Sequence, residues 1–190
     1  MIPLHEVPPP ARPDPEDDEL MALVAAGDRN ALATLVQRHQ RFVLVTAFRF
    51  LADRAEAEDA AQEVFLRLWV SARRYRPETA LRAYLRTITV HFCLDLKRKA
   101  RLTVLSGDRD MSSRADPHRD IEAMERQDAL ERALQTLPPN QRMAVILFHL
   151  EGLSVREVSG LLDTSPKSVE SLLSRARTAL RERLEHLLRR

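Results

Sequence analysis

One cysteine in 190 residues leaves no disulfide framework and no thiolate-rich metal site to hold this chain together. That residue, Cys93, suits a reducing compartment. Glycine is nearly as scarce, with four residues, and β-branched runs are few, which disfavours strand-and-turn architectures. Aromatic side chains make up only 5%, so the core must be built from Leu, Val, Ala and Ile. No apolar run approaches the ~18 residues of a membrane span. Met1 to Pro15 lack the basic-then-apolar order of a secretory signal. A cytoplasmic protein without membrane insertion is expected. The six histidines are scattered, with no H-E-x-x-H, and neither a G-x-x-x-x-G-K-[ST] loop nor a G-x-S-x-G elbow occurs. These absences remove the usual footholds for catalysis, metals and cofactors, and the expectation is an all-α protein that is not an enzyme.

What the chain does have is charge, unevenly placed. The net charge of +2 conceals a first stretch, residues 1–19, at −5 and a neutral stretch at 20–70. Residues 71–101 carry +7, residues 102–131 carry −4, and residues 164–190 carry +4. Two cationic segments separated by an acidic one fit a polyanion met at two surfaces, and a phosphate backbone is the obvious candidate. Arginine used only for solubility would explain scattered charge but not segregated charge.

Helical periodicity divides the chain further. Residues 1–15 hold six prolines and read as a flexible tail. A first helical domain, 16–101, has helices at Asp17–Ala26, Asp28–Leu51, Asp53–Arg73 and Thr79–Arg101. Leu32, Leu35, Val36, Phe42, Val43 and Val45 mark its second helix as buried. Ala57, Ala60, Ala61, Val64, Phe65 and Leu68 form the apolar face of the third, and Leu81, Leu85, Ile88, Phe92 and Leu96 that of the fourth. Asp53-Arg54-Ala55-Glu56 is an aspartate form of the capping box. Residues 102–116 read as a linker, and 117–190 as a second domain with helices near 118–136, 139–151, 154–162 and 166–188.

The last two helices form a helix-turn-helix. Ser154-Val155-Arg156-Glu157 is a capping box, Asp163-Thr164 a tight turn, and Ser165-Pro166 a second N-cap with proline at the first helical position. Val169, Leu172, Leu173, Ala176, Leu180, Leu184 and Leu187 should point inward. Lys167, Ser168, Ser171, Ser174, Arg175 and Thr178 then share an outer face of hydroxyls and cations suited to a major groove. A helical hairpin that touches only protein has the same local signature.

Two further constellations stand out. Arg73, Arg74, Tyr75, Arg76, Arg82, Tyr84 and Arg86 interleave aromatic faces with cations, the combination that single-stranded nucleic acid requires, and Lys97-Arg98-Lys99-Ala100-Arg101 follows as a phosphate-tracking block. On the third helix, Asp59 and Glu63 lie one turn apart beside Gln62. That acidic stripe would repel DNA and favours a basic protein partner, unless it is merely a solvated face.

Asp59-Ala60-Ala61-Gln62-Glu63-Val64-Phe65-Leu66-Arg67-Leu68-Trp69 resembles the polymerase-binding helix of bacterial sigma factors of the extracytoplasmic-function group. Tyr75-Arg76-Pro77 through Leu81-Arg82-Ala83-Tyr84-Leu85 is similar to that group's promoter-melting segment, and Asp95-Leu96-Lys97-Arg98 to the end of its melted-element helix. Leu137-Pro138, Gln141-Arg142 and Glu151-Gly152-Leu153-Ser154 resemble the entry to its second conserved domain. Ser168-Val169, Ser171, Leu173 and Arg175-Ala176-Arg177 resemble its recognition helix. The resemblance implies an alternative sigma factor without cofactor or metal, bound to the clamp helices and flap of core RNA polymerase, to promoter DNA and to an anti-sigma factor. It would place Asp59, Gln62, Glu63, Phe65 and Arg67 on polymerase. Arg74, Tyr75, Arg76, Arg82, Tyr84, Arg86, His91, Asp95, Lys97 and Arg98 would lie on the melted element. Ser165, Lys167, Ser168, Ser171, Ser174, Arg175, Arg177 and Thr178 would lie on duplex DNA. Tyr84, His91, Glu170 and Leu172 depart from the residues usual in that group. The residues read by themselves also leave open a stand-alone helix-turn-helix regulator that binds duplex DNA as a dimer, or a helical adaptor that mimics a sigma factor.

Overall fold

The computed structural model describes residues 15–78, 80–105 and 130–188, and these are helical with no strand among them. In chain order they form α1 (Pro15–Ala25), α2 (Arg29–Leu51), α3 (Arg54–Ser71), a 3-10 turn (Ala72–Arg74) and α4 (Leu81–Leu105). After the helical residues 130–135 come α5 (Pro139–Val145), a π-helical turn (Ile146–Leu150), α6 (Val155–Leu161) and α7 (Pro166–Leu188). The expected proline-rich tail lies almost wholly outside the described residues, as do positions 106–129 of the expected linker and first helix of the second domain.

Local chemistry sets the boundaries. Asp28 caps α2 by accepting from the Asn30 and Ala31 amides, and α2 ends where Ala52 turns left-handed at φ 56° and returns its N–H to the Phe48 carbonyl. Asp53 caps α3 through the Glu56 amide. The reciprocal half of the expected capping box does not show here, because the Glu56 carboxylate is drawn to Lys97 of α4 at 2.7 Å. Pro138-Pro139 ends one helix and opens α5, with Pro139 where a missing N–H costs nothing. Residues 102–105 continue α4 instead of starting the linker, since no breaker occurs before Gly107.

Two apolar clusters hold the helices. One joins Met21 and Val24 of α1 to Leu35 and Val43 of α2, Val64, Phe65 and Leu68 of α3, and Leu81 and Leu85 of α4. Asp17 is buried beside it, hydrogen-bonded to Arg38 and, at 2.8 Å, to His39, so a charged cluster ties α1 onto α2. The other cluster is continuous between the two halves of the chain. Ala47, Phe50, Leu51, Ala57, Ala60, Val90 and Cys93 share it with Leu134, Leu137, Met143, Ile146, Leu147, Val158, Val169 and Leu173. Burial pushes the Cys93 thiol up to about 12, which leaves it protonated and inert at neutral pH. Arg142 is buried across the same junction. Its guanidinium donates to the carbonyls of Leu134, Gln135 and Leu137 and, at 2.7 Å, to the Phe50 carbonyl at the end of α2.

Candidate nucleic-acid and polymerase interfaces

The polar and charged candidates fall on three separate surfaces. On the first, α2 and α3 diverge enough to leave an open groove of about 800 Å³, lined by Leu32, Val36 and Leu44 from one helix and Ala61, Gln62, Phe65, Leu66 and Trp69 from the other. Phe65 is buried at its floor. Leu66 is 59% exposed and Val70 82% exposed on the same helix, more than scattered surface apolars require. Glu58 and Gln62 are exposed within the groove's lining, and Asp59 is exposed on the same helix outside it. Glu63 is half-buried and accepts from Arg67 at 2.8 Å, while the Arg67 guanidinium lies 4.8 Å from the Phe92 ring centre. The arrangement is an apolar trough with Arg29, Gln40, Glu58 and Gln62 as its polar lining. Sequence reasoning singled out Gln62 and Phe65 but missed the trough. Leu32 and Val36 are only partly buried, and Val45 is exposed, because α2 carries more apolar residues than one core-facing stripe can hide.

The second surface runs from the 3-10 turn along α4. Arg74, Arg76 and Arg82 are exposed. Arg76 bonds the Tyr75 carbonyl at 3.2 Å, and Arg82 lies 4.3 Å from the centre of the Phe42 ring. Tyr75 and Tyr84 are half-buried and packed edge to face with centroids 5.5 Å apart. Their hydroxyls donate to Asp18 at 3.0 Å and to Ser71 at 2.9 Å. Burial, then the Asp18 carboxylate, raises the Tyr75 phenol well above its ordinary range. The two rings therefore brace α4 against α1 and α3 and present part of their surface outward. The cations farther along are occupied: Lys97 by Glu56, Arg98 by Asp95 at 3.6 Å, and Arg86 by Glu151 at 2.5 Å. The His91 ring is within hydrogen-bond reach, 3.1 Å, of the Leu161 carbonyl.

The third surface is the helix-turn-helix. Its capping box is fully formed: Ser154 Oγ accepts from the Glu157 amide, and the Glu157 carboxylate accepts from the Ser154 amide and hydroxyl. Those bonds hold the Glu157 carboxyl below its usual range. Asp163 adopts φ 48° in the turn, and Ser165 caps α7 through the Ser168 amide at 3.2 Å. Val169, Leu173 and Ala176 are buried as expected, with Leu172, Leu180 and Leu184 partly so; the Leu187 side chain lies outside the described residues. Lys167, Ser171, Ser174, Arg175 and Thr178 share an exposed face, with Ser168 half-buried at its edge. Arg177 does not join them. It sits beside a second groove of about 310 Å³ with Val145, His149, Leu173, Leu180 and Leu184. Burial, and then Arg177, lower the His149 pKa. At 3.6 residues per turn, Arg177 lies two positions past Arg175 and is rotated well away from it.

Three separate surfaces, one apolar and two rich in cations, thus lie on one helical frame. Residues 35–103 match the Sigma-70 region 2 family and residues 127–180 the Sigma-70 region 4 family. The chain is 32% identical over 176 residues to the ECF RNA polymerase sigma factor SigM of Mycobacterium tuberculosis, covering 93% of this chain and 88% of that protein. It superposes on CnrH, solved in complex with the cytosolic domain of CnrY, with a TM-score of 0.64 at 25% identity over 90% of this chain and 98% of that one. RpoE of Bartonella quintana, solved with the anti-sigma factor NepR, has the same fold, with a TM-score of 0.68 at 24% identity over 80% of this chain and 96% of that one. The chain belongs to the ECF RNA polymerase sigma factors. It is a non-enzymatic alternative sigma factor that binds core RNA polymerase and promoter DNA and directs transcription initiation.

Proposed function

We propose that the three surfaces divide that work. The groove between α2 and α3, with Asp59, Gln62, Glu63, Phe65 and Arg67, receives the polymerase clamp helices: the trough buries apolar side chains while the acidic residues of α3 select a basic partner. The cationic, aromatic strip of Arg74, Tyr75, Arg76, Arg82, Tyr84, Arg86, His91, Asp95, Lys97 and Arg98 takes the melted promoter strand. The α7 face, with Ser165, Lys167, Ser168, Ser171, Ser174, Arg175 and Thr178, lies in the major groove of the upstream element. Arg177, beside the second groove, belongs with contact to the polymerase flap more than with DNA. The first unit spans 16–101 and the second 117–190, and they act in the cytoplasm. An anti-sigma partner, as in the RpoE complex, would cover the same surfaces.

The observation that supports this is the 800 Å³ apolar groove with Glu58, Gln62 and the exposed Leu66 in its lining, on the same helix that carries Asp59, Glu63 and the exposed Val70. A stand-alone duplex-binding regulator has no use for that trough. Binding the opened strand and not the closed duplex makes the chain's binding free energy favour melting, which offsets the few kcal/mol of unstacking. Replacing Asp59 and Glu63 together with lysine should weaken association with core polymerase by about tenfold to a hundredfold, as interfacial charge reversal does. Helicity should be unchanged, since Asp59 is exposed and the half-buried Glu63 pairs with Arg67 one turn along the same helix. Gel filtration and circular dichroism read the two outcomes. Lost helicity, or unaltered binding to core, would refute the assignment of this groove.

A further inference from the structure

Glu151 follows the π-helical turn and reaches into the first unit. Its side chain is 6% exposed and Arg86 is 15% exposed. Its Oε1 accepts from the Thr46 hydroxyl at 2.7 Å, and its Oε2 accepts from Arg86 Nε at 2.5 Å. A buried carboxylate persists only where charge and hydrogen bonds compensate it. Here both come from residues 105 and 65 positions away in sequence. A hydroxyl and a guanidinium converging on two oxygens also form a donor set for a phosphodiester. The surroundings suit one. Arg82 and Arg86 lie 4.3 and 5.5 Å from the centre of the Phe42 ring, which aligns two cations beside the cradle.

We propose that Glu151 is an intramolecular stand-in for a nucleic-acid phosphate, occupying a Thr46–Arg86 cradle that binds a backbone phosphate of the melted strand once the two units separate. The inference rests on the assignment of α4 to that strand, and it adds Thr46, which the sequence did not single out. The same two donors cannot serve the carboxylate and a phosphate together, so closure and strand binding exclude each other. Besides the shared apolar cluster, further hydrogen bonds among the described residues join the units, including the His91 ring at the Leu161 carbonyl and Arg142 at the Phe50 carbonyl. Meanwhile Ser171, Ser174, Arg175 and Thr178 stay exposed. The closed chain thus withholds its strand surface and keeps its duplex surface open.

The test uses the full chain, wild type against Glu151→Gln and Glu151→Lys. Small-angle scattering gives the radius of gyration. Fluorescence anisotropy with a fluorescein-labelled, mixed-sequence single-stranded oligonucleotide at about 50 mM salt gives strand affinity. Both variants should be larger than wild type and bind the oligonucleotide about tenfold more tightly. Adding Thr46→Val to Glu151→Gln should take back about threefold of that gain, the worth of one hydrogen bond to a charged oxygen. Glu151→Gln keeps the side-chain shape and decides the matter if Glu151→Lys loses helicity. Unchanged size and strand affinity in the variants would reduce Glu151 to a structural ion pair, and an inert Thr46→Val would remove the cradle. Wild-type protein with core polymerase serves as the control at a promoter mapped from transcripts after overproduction. Failure to form heparin-resistant complexes there would refute the strand assignment itself, whereas success there beside unresponsive variants would refute the cradle alone.

Discussion

The two helices proposed to face DNA are left in opposite states. On α4, Lys97, Arg98 and Arg86 each lie against a carboxylate, and Arg82 rests on a ring. On α7, no described carboxylate pairs with Lys167 or Arg175, and the hydroxyls of Ser171 and Thr178 are bonded only to carbonyls one turn back. Duplex DNA is present before initiation, so its reader can stand open. The melted strand exists only afterwards, so a reader that must trade internal partners for phosphates is engaged late. The difference also locates the control: a surface already satisfied internally can be regulated by holding it shut, whereas an open one has to be covered by another molecule.

The hardest blow to this contrast falls on Arg142. Its guanidinium serves carbonyls of both units, and burial lowers its pKa. Arg142→Leu would strand several buried carbonyls at once and should cost about 3 kcal/mol, read as a lower urea midpoint. A cost near zero would mean that the junction between the units is not held as the hydrogen bonds indicate. A gentler probe compares the two helices directly. Arg175→Ala should weaken duplex binding by about 1 kcal/mol and reduce the salt slope by about one, because an open cation releases counterions when it meets a phosphate. Lys97→Ala should leave duplex binding by the free chain unchanged within about twofold, since its charge is spent on Glu56. Equal effects, measured by anisotropy across a salt series, would erase the distinction.

Much of this frame was legible in the residues because it is local. Capping residues, the 3.6-residue period and proline placement located the helices, and the Ser154–Glu157 box and the Ser165 cap are present atom for atom. Failures came where a side chain's partner lies far away in sequence. Glu56 fits the second half of a capping box, yet Lys97, 41 positions away, takes it. Nothing near Arg86 and His91 in sequence showed that they meet Glu151 and the Leu161 carbonyl of the second unit. Periodicity also cannot say how wide a gap two helices leave. Leu32 and Val36 looked like ordinary core residues and proved to line a groove. Arg177 was placed with Arg175 by the resemblance to the recognition helix, although residues two apart on a helix point to different sides.

The smallest expected effect tests whether the open reader is held open by its own sequence. Glu157 accepts from the Ser154 hydroxyl and amide, which depress its pKa below the usual carboxylate value of 4.5. A carboxyl whose folded pKa is depressed contributes stability that is fully present above its unfolded pKa. That contribution fades as the pH falls through the lower folded value. The group is largely solvent-exposed, so screening keeps the contribution small. Ser154→Ala should therefore cost about 1 kcal/mol near neutral pH, the worth of a helix cap. The gap from wild type should narrow once the pH falls below the depressed folded pKa, where the carboxylate is protonated in both proteins. Thermal melts at the two pH values measure it. A gap that widened in acid would reverse the sign and show that Glu157 is stabilised by something other than its cap. No gap at either pH would mean that α6 is held by its packing on Val158 alone, and that the readiness of α7 for duplex DNA comes from the core and not from the turn chemistry that precedes it.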